Sequence, residues 1–202
     1  GHVMPQDDDG FRETASQTAG PYVHLGCLPS ACGLAGIYAT EIGAAPVRDG
    51  AAGEPITITG EIRDGTGWAL RDALVESWQA DAAGIYPGRP GADPAVPGFC
   101  RIATDPDSGL WSLRTVKPGR VRLRGGGTMA PHVALWIVAR GLNSGLHTRI
   151  YFEDEDNAAD PVLSRIEQAP RRQTLLARRV GAGAYRFDIR LQGDGETVFL
   201  DP

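Results

Sequence analysis

Glycine and proline cut this chain so often that long helices are excluded from most of it, and between the cuts apolar residues alternate with polar ones. The 27 glycines and 15 prolines are about a fifth of the 202 residues, against roughly 12% in average usage. Hydrophobic residues still make up 42%, enough to fill a core at this length. Around Ile56, Ile58 and Ile62 the apolar positions fall two apart, the period of a strand that buries one face. Asp64-Gly65-Thr66-Gly67 then supplies turn chemistry before Ala73 to Trp78 resumes an extended run, so this stretch predicts a β-hairpin. A second hairpin is predicted where Asp105-Pro106-Asp107-Ser108-Gly109 separates Arg101–Thr104 from Leu110–Val116.

Further strands are predicted over His132–Ala139, Leu146–Phe152, Tyr185–Leu191 and Thr197–Leu200. One helix is predicted from Pro170 to about Val180, with Pro in its first turn, Leu175 and Leu176 inward and the arginines in solvent, and a shorter helical turn over Pro161–Ile166. Many short strands with one late helical region imply a mainly β fold, an antiparallel β-sandwich. Residues 1–12 are polar and read as a disordered, tag-like N-terminus. Residues 13–50 have neither strand nor helix period and read as an extended arm, which gains order only against the domain or a partner subunit. Residues 51–202 form the sandwich domain.

The charge pattern narrows the partners. Twenty Lys and Arg against 25 Asp and Glu leave a net charge of −5, with no basic run of the kind that neutralises a nucleic-acid backbone. No apolar stretch approaches the roughly 18 residues of a membrane span, and Asp7, Asp8 and Asp9 stand where a secretory leader carries positive charge. The expectation is a soluble cytoplasmic protein that binds neither nucleic acid nor membrane. Cys27, Cys32 and Cys100 are odd in number and not spaced as CxxC pairs, so they read as free thiols.

Chemistry has few candidates. The chain has no P-loop, no GxSxG elbow and no GxGxxG after a strand. His24, His132 and His147 are never two or four residues apart, so no metal site follows from histidine spacing. Glu153-Asp154-Glu155-Asp156 lacks the alternation and central glycine of a calcium loop and reads as a solvated turn.

Five stretches taken in order carry a family resemblance: SQTAGPY (16–22), VESWQADAAGIY (75–86), TVKPG (115–119), APHVALWIVARG (130–141) and YRFDIRLQGDGETVFLD (185–201). Together they resemble the intradiol ring-cleaving dioxygenases, and among these the alpha-type chains of alpha-beta enzymes. The resemblance implies a hetero-oligomer whose beta chain holds a non-haem Fe(III) through two Tyr and two His. Hard phenolate oxygens suit a ferric ion. Of the four matching positions here, Tyr86 and His132 keep a donor, whereas Val121 and Ala134 have none. On a strand, residues i and i+2 share a face, so the His132/Ala134 position has lost half of a chelating pair. The expectation is that this chain holds no catalytic iron and has no catalytic residue of its own.

The resemblance assigns this chain a share of the substrate cavity instead. Thr18, Gly20 and Pro21 in the arm would line it, glycine allowing close backbone approach and proline stiffening the segment. Arg140, after the 132–139 strand, would offer a planar fork of donors to the carboxylate of protocatechuate. The expected reaction, on the beta chain's Fe(III), is protocatechuate plus O2 to 3-carboxy-cis,cis-muconate in aromatic catabolism. Two alternatives stay open: a catalytically inactive β-sandwich that serves only binding or assembly, and an active homo-oligomer with substitute ligands.

Overall fold

The computed structural model describes residues 41–42, 47–139, 142 and 145–201. Five strands make one sheet in the order β1 (Glu41–Ile42), β4 (Phe99–Ala103), β3 (Leu74–Gln79), β8 (His132–Val138) and β9 (Leu146–Phe152), every neighbouring pair antiparallel. The facing sheet is built on β2 (Pro55–Arg63), which pairs antiparallel with β5 (Leu110–Val116) and parallel with both β11 (Ala184–Arg186) and β12 (Ile189–Arg190). The strand β10 (Leu176–Gly181) joins the two, its start parallel to β9 and its later residues antiparallel to β11. A separate ribbon pairs β6 (Val121–Arg122) with β7 (Thr128–Met129). Helix α1 (Pro161–Ser164) and helix α2 (Ala169–Gln173) are each little more than a turn. Among the described residues no helix is long and apolar enough to cross a membrane.

The alternation in the sequence decides which faces meet. Ile56, Ile58 and Ile62 of β2 and Trp111 and Leu113 of β5 point at Val75 of β3, Ile102 of β4, Val133, Leu135 and Ile137 of β8 and Ile150 and Phe152 of β9, all in one core cluster. Ile58, Ile62, Val75, Ile102, Trp111, Val133, Ile137 and Ile150 have no measurable exposure. At about 1.5–3 kcal/mol for each fully buried large side chain, this layer is the main stabilising term of the sandwich. Gly60 marks the tightest approach: a Cβ there would lie 1.7 Å from the Phe187 carbonyl oxygen.

Two local expectations are corrected by this packing. Neither predicted hairpin exists, since β2 pairs with β5 and β11 while β3 pairs with β4 and β8. The Asp64 and Asp105 turns carry the chain from one sheet to the other, because strands that bury apolar faces toward one another belong on opposite sides of a core. The Asp64 carboxylate nevertheless organises its turn as the sequence implies, accepting from the Thr66 and Trp68 amides at 2.8 and 3.1 Å. The helix predicted to run to Val180 stops at Gln173, and residues 176–181 are strand β10. Helical propensity over TLLARRV is weak against two open strand edges, β9 and β11, that need a partner.

The acidic turn at 153–156 is solvated as expected, with Glu153, Asp154 and Asp156 exposed, although its carboxylates have partners. Lys117 reaches Glu155 at 2.8 Å and Asp154 at 3.4 Å, the Tyr185 hydroxyl donates to Asp154 at 2.9 Å, and the Arg179 amide donates to Glu153 at 2.8 Å. Cys100 is buried on β4.

Candidate functional site

The outer face of the first sheet carries the polar chemistry. With Val133, Leu135 and Ile137 turned inward, β8 presents His132, Ala134 and Trp136 outward, and β9 presents His147, Arg149 and Tyr151 beside them. The register pairs His132 with Tyr151, Ala134 with Arg149 and Trp136 with His147. On the other side of β8, Trp78 lies opposite Ala134 and Glu76 opposite Trp136.

Tyr86 arrives on the loop after β3. Asp81, buried at its start, accepts from the Ala83 and Ile85 amides, each at 2.9 Å, and from the Asp93 amide at 2.8 Å. Gly84 turns the loop with φ 84° where a Cβ would meet the Arg120 carbonyl oxygen at 1.9 Å, a position only glycine fills. The Tyr86 ring stacks on Trp78 with centroids 5.7 Å apart and planes 12° off parallel. Its hydroxyl comes within 3.5 Å of His132 Nε2.

The imidazole is held by its other nitrogen. His132 Nδ1 lies 2.8 Å from the Ala130 carbonyl oxygen, an acceptor only, so Nδ1 carries the proton and Nε2 turns a lone pair toward Tyr86. Burial, then the neighbouring Arg149 charge, pull its pKa from 6.5 to about 3, against the Ala130 hydrogen bond. Behind it lies a buried chain of contacts. Arg149 donates to the Tyr151 hydroxyl at 3.0 Å and Tyr151 donates to Asp160 Oδ1 at 3.0 Å. Asp160 also accepts from the amides of Val162 at 2.8 Å, Leu163 at 3.0 Å and, on Oδ2, Ala130 at 2.8 Å. Burial alone would lower the Arg149 pKa, but Tyr151, Tyr86 and Asp160 together hold it above its ordinary value. Burial pushes the Tyr151 phenol up, so it stays protonated.

The four positions singled out in the sequence therefore differ in kind. Tyr86 and His132 converge, Val121 is buried beside Ala80 and Met129 with Tyr86 packed against them, and Ala134 faces Arg149 across the strand pair. As a seat for a ferric ion the set does not fit, with two donor atoms and a buried cation next to them. Arg140, Thr18, Gly20 and Pro21 lie outside the described residues. Arg149, Tyr151 and Asp160 were not singled out from the sequence. The one signal for Arg149 is register, since strands 132–138 and 146–152 in antiparallel pairing set it against Ala134.

Further along the same face, Arg101 Nε donates to Glu76 at 2.7 Å, and both side chains are buried. His147 sits edge-on to Trp136 with centroids 4.0 Å apart, and burial lowers its pKa to about 4. Two histidines kept neutral by the fold make stability depend on pH. Below pH 6.5 the unfolded chain binds protons that the native chain refuses, so stability present above pH 6.5 is lost as the pH falls toward 4. The expected slope from His132 approaches about 1.4 kcal/mol per pH unit, and His147 adds in the same direction. Urea melts at pH 7, 6 and 5 should show this fall, and His132→Gln should make it shallower; equal slopes would rule the account out.

A two-layer β fold with a Tyr–His pair on its outer face defines a class, and residues 38–193 match the family described as Dioxygenase. The fold resembles that of 3-chlorocatechol 1,2-dioxygenase from Rhodococcus opacus 1CP, with a TM-score of 0.56 at 24% identity over 72% of this chain. This chain spans 62% of that protein's length. The chain belongs to the intradiol dioxygenase family. Within it, the sequence is 50% identical to the protocatechuate 3,4-dioxygenase alpha chain of Pseudomonas putida over 194 residues, 94% of this chain and 96% of that one. It is 32% identical over 159 residues to the protocatechuate 3,4-dioxygenase beta chain of Burkholderia cepacia, 72% of this chain and 67% of that one.

Proposed function

We propose that this chain is the alpha-type, non-iron-binding subunit of a protocatechuate 3,4-dioxygenase, working with a beta chain that holds the Fe(III). The observation that carries the reading is the half-set of donors. Tyr86 and His132 converge at 3.5 Å while Val121 and Ala134 bring only carbon, in a chain that matches an alpha chain along 94% of its length. The family is iron-dependent, so a member with two donors works with a neighbour that holds the whole centre. The beta chain among its relatives supports that neighbour's identity.

In the assembly protocatechuate and O2 become 3-carboxy-cis,cis-muconate, and this chain's work is enclosure and recognition. The 13–50 arm reaches the partner and brings Thr18, Gly20 and Pro21 to the wall of the shared cavity. Arg140 comes two residues after the end of β8 at Val138 in the sequence and receives the ring carboxylate on its guanidinium fork. A charge-assisted pair of this kind contributes about 1.5–3 kcal/mol, or roughly 10- to 100-fold in affinity. In the assembled enzyme Arg140→Ala is expected to weaken protocatechuate binding by about that factor and to leave catechol, which lacks the carboxylate, within about twofold. Equal losses for both ligands would remove Arg140 from this role.

A further inference from the structure

The buried guanidinium beside the Tyr–His pair takes no part in the function just described. Arg149 is 5% exposed, and its cross-strand neighbour in register is Ala134, whose methyl group leaves room above the sheet. Through that room the side chain reaches the Tyr151 hydroxyl at 3.0 Å and Met129 Sδ at 3.4 Å. Met129 packs with Val121 and Tyr86 in one cluster, and Tyr151 lies against the His132 ring, with centroids 5.5 Å apart. The cation thus belongs to one cluster, the Tyr–His pit, with Tyr151 and Met129 hydrogen-bonded to it, Ala134 across the strand pair, and His132, Tyr86 and Val121 one contact further on.

We propose that Arg149 is the resident cation of this pit, its guanidinium standing in for a metal ion and excluding one. The inference rests on the reading of the chain as non-iron-binding and deepens it: missing ligands are one reason no metal binds, and a fixed positive charge is a second, independent one. Like charges at short range in a buried site repel strongly because little water screens them. A buried cation with hydrogen-bond partners cannot simply withdraw, since Tyr151 and Asp160 anchor it from behind. Putting back the lost donors is therefore insufficient for metal binding while the arginine remains.

The test counts iron by elemental analysis and by tyrosinate colour in the full chain, purified with its partner, for wild type and three variants. Val121→Tyr/Ala134→His is expected to take up no iron beyond wild type. Adding Arg149→Gln, which removes the charge but keeps a donor for Tyr151, is expected to bring about one further equivalent per chain. Adding Arg149→Lys instead, which keeps the charge, is expected to bring none. Extra iron in the double variant with Arg149 intact would overturn the proposal, as would none in a folded triple variant. Should the triple variant not fold, Arg149→Gln alone decides: ferric titration should be at least tenfold tighter than in wild type, and no change overturns the proposal. Iron on the wild-type chain itself would instead defeat the underlying reading, which keeps the two failures apart.

Discussion

Asp160→Ala is expected to cost about 3–7 kcal/mol of stability and to loosen the Tyr–His pair at the same time. The carboxylate is 1% exposed and takes four donors: the amides of Val162, Leu163 and Ala130 and the Tyr151 hydroxyl. Losing the cap of α1 costs about 1 kcal/mol by itself. The Ala130 amide and the Tyr151 hydroxyl would then remain buried without their acceptor, at about 1–3 kcal/mol each. Both lead into the site, because the Ala130 carbonyl fixes the His132 tautomer and Tyr151 anchors Arg149. Asp160→Asn should fall between, since one amide nitrogen then faces a donor that the carboxylate accepted. Chemical denaturation of the three proteins checks this ordering, and a loss below about 1 kcal/mol for the alanine variant would mean that water replaces the carboxylate.

Most strands were legible in the sequence, though Thr197–Leu200, expected as a strand, makes only a bridge from Leu200 to His147 and β10 read as helix; strand partnership was not legible. Leu146–Phe152 is β9 residue for residue, and β8 differs from its expected span only at Ala139, because alternation is a local property of a strand that buries one face. The two hairpins failed for a physical reason. An Asp-Gly turn has the same chemistry whether the strands beside it pair or part, and the choice fell to Ile58 and Val75, which meet across the core from opposite sheets. The helix read through Val180 failed similarly, since the two strand edges that recruit residues 176–181 come from distant parts of the chain.

The site divides along the same line. Tyr86 and His132 could be named from the sequence, and they do converge. Arg149 and Asp160 could not. The first depends on β8–β9 register, and the second on α1 returning to the outer face, where Leu163 packs with Tyr151 and Ala130. Nothing in the local sequence marks either contact. The buried pair Glu76–Arg101 is the same case, two charges 25 residues apart that meet only because β3 and β4 are neighbours.

The second large effect is all-or-none: on the proposed reading, iron in the assembled enzyme is expected on the partner, one equivalent for each alpha–beta pair and none on this chain. Two donors 3.5 Å apart, one of them an imidazole beside a buried guanidinium, are expected to lose a ferric ion to the full set of Tyr and His ligands proposed for the beta chain. The decisive measurement is the iron count per pair in the complex, taken with wild-type chain and with Tyr86→Phe/His132→Gln in this chain only. The expected result is one equivalent and the same tyrosinate colour in both. A second equivalent in the wild type that disappears with those two side chains would contradict the account.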